Sequence, residues 1–158
     1  MKGNERILAA LNGLLADELT AISQYMVHSE MLANWGFEKL HEAKEHQALD
    51  EMHHAEWLIA RILFLEGTPI VSKLNPMKIG AGIKEMITND QAAEVGAIKS
   101  YNDAITLGHE VKDQGSVDLL MKILTDEERH EDWAEAQLDQ IGQMGFENYL
   151  TNQTKGAA

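Results

Sequence analysis

Cysteine is missing from this 158-residue sequence, which excludes disulfides, thiolate zinc sites, iron–sulfur clusters and cysteine nucleophiles together. Any metal site must therefore use oxygen or imidazole. Proline is nearly missing too: Pro69 and Pro76 are the two present, and both fall between Gly67 and Gly82. Basic residues are scarce, with 13 Lys and Arg against 26 Asp and Glu for a net charge of −13. A nucleic-acid partner is excluded, because phosphate binding needs a basic footprint. No apolar run approaches the roughly 18 to 20 residues that span a bilayer, and Met1–Glu5 leads into an amphipathic segment rather than a signal-peptide core. The expectation is one soluble domain in the cytoplasm, without a membrane partner. What the chain does have is 26 carboxylates and seven histidines, a stock suited to a first-row metal.

Outside the proline stretch, apolar residues recur at helical spacing. Ile7, Leu8, Leu11, Leu14, Leu15, Ile22 and Tyr25 form one stripe, and the spacing predicts a helix from about Asn4, an N-cap residue, to the Asn34-Trp35-Gly36 break. A second helix is predicted from about Lys39 to Leu65 and a third from about Ile83 to Val111. A fourth, capped by Ser116, runs to about Gly142, and a short fifth covers Phe146–Leu150, with a tail expected to fray after Thr151. Four long helices without a strand signal predict an antiparallel bundle. The Gly67–Gly82 link exceeds the usual two to eight residues of a bundle turn. At ~3.3 Å per residue it reaches roughly 50 Å, enough to cross the whole bundle beside a helix of about 37 Å. That predicts the long crossover of a ferritin-like fold.

Sliding the sequence by 76 residues aligns the first helix pair with the second. The identities are Ala16/Ala92, Glu18/Glu94, Ala21/Ala97, Ile22/Ile98, Tyr25/Tyr101, Asp50/Asp126, Glu51/Glu127, His54/His130, Trp57/Trp133 and Ala60/Ala136. Those ten exceed the about three expected by chance from average composition. Each copy holds a Glu and then an E-x-x-H: Glu18 with Glu51 and His54, Glu94 with Glu127 and His130. Residues three apart share a helix face, so each motif can present a carboxylate and an imidazole to one point.

E-x-x-H also occurs at Glu38/His41, but its upstream partner Glu5 would place the hairpin centre in mid-helix, whereas Glu18 and Glu51 centre on the Trp35-Gly36 turn. The Asp50/His53 frame passes that geometric filter and fails the repeat, since its counterparts are Asp126 and Arg129. The six retained residues interrupt apolar stripes on the bundle-facing side. Unpaired carboxylates buried together would be very costly, and two divalent ions would balance four glutamates. One Glu from each of two helices with E-x-x-H from each of the other two is the di-iron carboxylate pattern.

With these motifs the sequence resembles the bacterioferritins from Met1 to about Thr151. The resemblance implies that residues 1–158 are a single ferritin-like di-iron domain, with the bundle at about 4–142 and the short helix at about 146–151. It implies that Glu18, Glu51, His54, Glu94, Glu127 and His130 hold two iron ions in an intrasubunit ferroxidase centre, Glu51 and Glu127 bridging. It further implies that Met52, one from each of two subunits, supplies axial sulfur to a b-type haem lined by Leu19, Ile22, Ser23 and Met26. His46 and Asp50 resemble a pair that takes iron facing an inner cavity. Tyr25 and Tyr101 lie two turns beyond Glu18 and Glu94, where each phenol can bond a ligand carboxylate across the bundle, and the family suggests Tyr25 as an electron donor. Asn34, Glu66, Asp132 and Asp139 match residues around an intersubunit channel. Trp57 and Trp133 are expected to fill core volume, and His28, His41, His53 and His109 to be solvated or capping.

The implied function is iron storage: Fe(II) is oxidised by O2 or H2O2, stored as ferric mineral in a 24-subunit homo-oligomeric shell, and released reductively with help from haem and a small ferredoxin. The acidic surplus would draw Fe(II) inward. The residues leave open a dimetal oxidase or manganese-catalase-like enzyme acting on an external substrate, and a passive haem-binding cage.

Overall fold

Asn4 opens the first helix: its side-chain oxygen accepts from the backbone N–H of Arg6 at 2.8 Å, satisfying one of the free donors at a helix start. In this computed structural model, which describes residues 1–154, α1 is Glu5–Asn34, α2 Glu38–Phe64, α3 Ile83–Glu110, α4 Gln114–Met144 and α5 Phe146–Thr151. The fold is a ferritin-like four-helix bundle with a short C-terminal helix, and it contains no strand among the described residues. No helix among them is long and apolar enough to cross a membrane.

Three helix ends share one geometry. After α1, α2 and α3 the chain passes through a left-handed residue, Gly36, Glu66 and Lys112, with φ of 85°, 60° and 60°. Phe37, Gly67 and Asp113 N–H then reach back to the carbonyls of Leu32, Ile62 and Gly108, which satisfies carbonyls that would otherwise be free. The start of α4 corrects the expectation for Ser116. The cap is Asp113, which accepts from Ser116 N and Ser116 Oγ at 3.0 and 2.6 Å, so Ser116 lies inside the first turn. The tail also differs from expectation, because Gln153 is buried and its carbonyl accepts from Lys39 N–H at 3.0 Å. The remainder of the tail expected to fray, 155–158, lies outside the described residues.

The crossover between α2 and α3 runs beside α1 from Asn12 to His28 and is held at each step. Asn12 bonds Thr68 O and Ile70 N, Asp17 bonds the Asn75 amide, Thr20 bonds Asn75 N, Gln24 bonds Lys78 N and His28 bonds Gly80 N. Gly80 has no room for a side chain there: a Cβ would sit 2.5 Å from Met86 N.

The crossover lets both hairpins pack with α1 against α3 and α2 facing α4. Two apolar clusters result. Ile7, Leu11, Leu15, Leu58, Ile62 and Leu120 belong to one, and Leu32, Leu40, Ile83, Met86, Ile87 and Ile141 to the other. Each fully buried aliphatic side chain contributes about 1.5–3 kcal/mol. The repeated Glu and His residues lie along the helices between these clusters.

Candidate metal centre

Glu18 from α1, Glu51 and His54 from α2, Glu94 from α3, and Glu127 and His130 from α4 converge in the bundle interior. All six are buried, at 0 to 3 % exposure, and they form two overlapping groups able to hold metal. One is Glu18, Glu51, His54 and Glu127, and the other is Glu51, Glu94, Glu127 and His130. Glu51 and Glu127 belong to both groups, so the geometry fits a dinuclear site with two shared carboxylates.

Each imidazole presents Nδ1 to the carboxylates. His54 Nδ1 lies 3.0 Å from Glu51 and Glu127 and 3.6 Å from Glu18. His130 Nδ1 lies 3.1 Å from Glu51 and 3.6 Å from Glu94. The far nitrogens pair crosswise with aspartates of the opposite helix: His54 Nε2 with Asp126 at 3.0 Å, His130 Nε2 with Asp50 at 2.9 Å. A carboxylate at Nε2 accepts that N–H and leaves the Nδ1 lone pair for a metal. Asp50 and Asp126 match in the internal repeat, but E-x-x-H spacing does not reveal their role, which depends on α2 facing α4.

Two tyrosines complete the symmetry. Tyr25 OH donates to Glu94 and Tyr101 OH donates to Glu18, as their spacing predicts. Two carboxylate oxygens of the centre, Glu18 Oε2 and Glu94 Oε2, are buried with no hydrogen-bond partner, while Glu127 Oε1 faces His54 Nδ1 at 3.0 Å. Buried acceptors of that kind are rare without a cation to meet them.

Without metal the cluster retains protons. Burial and then the Glu51 charge hold Glu18 well above the usual carboxylate range. Burial and the Glu18 charge push Glu127 up to about 8. For His130 burial acts in the opposite direction, and hydrogen bonds to Glu51 and Glu94 outweigh it, raising it to about 11. His54 is raised in the same way by Glu127, Glu18 and Glu51 against its burial. The phenols of Tyr25 and Tyr101 are raised by burial first and by adjacent glutamates second, so both remain protonated donors. A pocket of about 300 Å³ between α1 and α3, flanked by Asn75 of the crossover, reaches Glu18, Glu94 and Glu127.

The other expected site residues are placed as follows. Met52 is exposed on α2, Met26 is exposed on α1, and Leu19, Ile22 and Ser23 are half-buried on α1. His46 Nδ1 stands 3.5 Å from Asp50 Oδ2, but that oxygen also meets His130 at 2.9 Å and Arg129 at 3.4 Å. Asn34, Glu66, Asp132 and Asp139 are exposed. Asn34 closes α1 at one end of the bundle, whereas Glu66 follows α2 at the other and pairs with the N-terminus at 3.0 Å, so one chain does not bring these four together. Trp57 and Trp133 pack on the two apolar clusters, each beneath a lysine: Lys122 over Trp57 at 3.7 Å and Lys44 over Trp133 at 4.9 Å.

The expectation for His28 is corrected. It is fully buried, bonds Asp90 through Nδ1 at 2.9 Å and accepts from Gly80 N through Nε2 at 3.0 Å. Asp90 also takes Lys44 Nζ at 2.8 Å and the Gln24 amide at 2.8 Å. These partners are distant in sequence and carry no periodic signal, so the network is not legible from spacing. His41 is half-buried against Ser29, while His53 and His109 are exposed.

Comparison with known proteins agrees with this geometry. The family model for the ferritin-like domain matches residues 8–144. A bacterial ferritin of Synechocystis is 44 % identical over 154 residues, covering 97 % of this chain and 99 % of the relative. A bacterioferritin of Rhodobacter capsulatus is 42 % identical, covering 92 % of each chain. A bacterioferritin of Mycobacterium leprae is 40 % identical, covering 94 % of each. Full-length likeness, the crossover bundle and the paired Glu/E-x-x-H sets lead to one assignment: the chain belongs to the bacterioferritins, within the ferritin-like family.

Proposed function

We propose that this protein is an iron-storage ferroxidase of the cytoplasm, its whole chain acting as one ferritin-like di-iron unit. Fe(II) is the substrate. The observation that carries this reading is the convergence of six buried side chains into two overlapping groups that share Glu51 and Glu127, with Glu18 Oε2 and Glu94 Oε2 left without hydrogen-bond partners. Four glutamates neutralise two divalent ions, and neutral imidazoles complete each ion's ligands without adding charge. Glu18 and His54 serve one ion, Glu94 and His130 the other, and Glu51 and Glu127 lie between them.

The chain's part in oxidation is to hold two ions close together and keep the oxidant's approach short. The pocket between α1 and α3 admits small substrates such as Fe(II), O2 or H2O2. Two Fe(II) give one electron each; with H2O2 and two protons the products are two Fe(III) and two waters. With O2 as oxidant, reduction to two waters takes four electrons where the two Fe(II) give two; Tyr25, bonded to Glu94, is the proposed local donor of a third, the fourth coming from further Fe(II). Ferric iron is stored as hydrated mineral within a closed shell of twenty-four copies, whose channels would gather Asn34, Glu66, Asp132 and Asp139 from different subunits.

The residues around Met52 fit a haem. Met52 is exposed on α2 whereas the adjacent Glu51 is buried, and Leu49 on α2 and Met26 on α1 are exposed as well. Ser29 faces His41 across the hairpin, and counting along the antiparallel pair brings Leu19 within one residue of Met52. The Ser23 hydroxyl is turned back to Leu19 O at 3.0 Å, leaving an apolar lining. A soft thioether from each of two copies suits low-spin haem iron. Haem held there would supply one-electron transfer for returning stored iron to Fe(II).

Anaerobic Fe(II) addition followed by oxygen tests the reading. The expected result is oxidation and retention of iron far beyond two ions per chain, in a particle twenty-four times the 17.6 kDa chain mass. Glu18→Gln or His130→Ala should abolish the fast phase while the particle persists. Fast oxidation that survives both changes would refute the assignment.

A further inference from the structure

Behind the two imidazoles lies a shared cation. One terminal nitrogen of Arg129 is 2.9 Å from Asp126 Oδ1 and 3.4 Å from Asp50 Oδ2. Those two carboxylates are the ones that accept from His54 Nε2 and His130 Nε2. Exposure rises along this line. Glu51 and Glu127 are buried, the imidazoles are nearly so, the side chains of Asp50 and Asp126 are 19 and 24 % exposed, and that of Arg129 is 63 % exposed. The series therefore leads from the metal position to solvent between α2 and α4, and Arg129 stands at its outer end.

A cation leaving along this line would have to pass the paired aspartates. A guanidinium there keeps its proton at any ordinary pH, so the passage carries a fixed positive charge. The same group engages both carboxylates, holding them as acceptors for imidazole N–H instead of freeing them as ligands for a migrating ion. His46 beside Asp50 does not relieve this, because Asp50 Oδ2 already meets His130 and Arg129. On the α1/α3 side the pocket that reaches Glu18, Glu94 and Glu127 is lined by the crossover residues Asn75, Pro76 and Lys78, so a basic side chain stands there too.

We propose that Arg129 is a latch on the α2/α4 side of the centre: a positioning residue that steadies both histidines through their aspartates and slows the loss of bound ions by that route. This rests on reading the six buried residues as a dimetal site. Loss of a divalent first-row cation toward the α2/α4 face is then slower than it would be without Arg129.

The test loads the assembled protein anaerobically with Co(II) alone and follows release to excess chelator by the cobalt visible bands. Arg129→Ala and Arg129→Gln should each release cobalt faster by about tenfold or more, with two ions per chain still bound at the start. Arg129→Lys, which restores the charge, should recover most of the retention. Arg6→Ala removes an exposed charge paired with Glu110 and should leave release unchanged. Equal release from wild type and both neutral variants overturns the latch, as does equal acceleration in Arg6→Ala, which would mark a general field effect. If wild type binds no cobalt pair, the dimetal reading falls and the latch with it; a normal pair with unaltered release removes the latch alone.

Discussion

Tyr25 and Tyr101 stand in exchanged positions across α1 and α3: Tyr25 on α1 donates to Glu94 of α3, and Tyr101 on α3 donates to Glu18 of α1. Each phenol fixes one oxygen of a glutamate and leaves its other oxygen free for metal. The two contacts are geometric equivalents, so any difference between them in function isolates chemistry from structure.

Tyr25→Phe and Tyr101→Phe should each weaken binding of two Co(II) ions by about tenfold, the usual scale for losing a hydrogen bond to a metal ligand. If Tyr25 also donates an electron, only Tyr25→Phe should change the course of Fe(II) oxidation at saturating iron. Stopped-flow absorbance on both variants makes the comparison, and identical traces would remove the donor role.

The metal-free centre should make the protein less stable as pH rises. Glu127 titrates at about 8 when folded against 4.5 as its ordinary value, and His130 at about 11 against 6.5. The folded chain thus binds more protons than the unfolded chain between 4.5 and 8 for Glu127 and between 6.5 and 11 for His130. Where the folded state holds the extra protons, unfolding free energy falls with increasing pH. Melting of the metal-free protein should therefore shift to lower temperature from pH 5 to pH 9, and added Zn(II), which displaces those protons, should reverse the trend. A melting temperature that rises over that interval would contradict the shared-proton account.

Lys44→Met should destabilise the fold by about 3 kcal/mol, because it strips a buried partner from Asp90, and broken buried pairs typically cost about 3–5 kcal/mol. Asp90 keeps His28 and Gln24, which places the effect at the low end. Adding Asp90→Asn to that variant should recover part of the loss. Urea titration of the single and double variants measures both.

Lys112→Gly should stabilise the chain by about 0.5–1 kcal/mol. Lys112 is exposed and left-handed at φ 60°, a conformation that costs a side-chain-bearing residue roughly 1–2 kcal/mol, partly offset by glycine's freedom in the unfolded chain. Thermal melts at one protein concentration decide it.

Legibility in the sequence followed periodicity. Asn4 begins α1 as its chemistry predicts, and the crossover was readable because Pro69 and Pro76 interrupt an otherwise unbroken helical pattern. Glu18, Glu51, His54 and their repeats were readable because interior acids on apolar stripes recur at a fixed interval. Asp113 outcompeted Ser116 as a cap because a carboxylate with two oxygens can serve Ser116 N and Oγ together, which spacing does not disclose. Lys44, Asp90 and His28 eluded the reading because their partners lie 46 and 62 positions apart. Arg129 resembles an ordinary outward residue of a helix until α2 is placed opposite α4.

The strap along α1 also orders the way the molecule forms. Its contacts with Asn12, Asp17, Thr20, Gln24 and His28 span 52 to 58 positions, whereas each helical hairpin closes through a turn of a few residues. Long closures carry an entropic penalty that short ones avoid. The two hairpins are thus the early pieces of folding, and the strap zips afterwards, from Asn12 toward His28, fixing the second hairpin against the first. Kinetic phases would then separate by site, with amide protection at Ile70, Asn75, Lys78 and Gly80 arriving after protection within the helices.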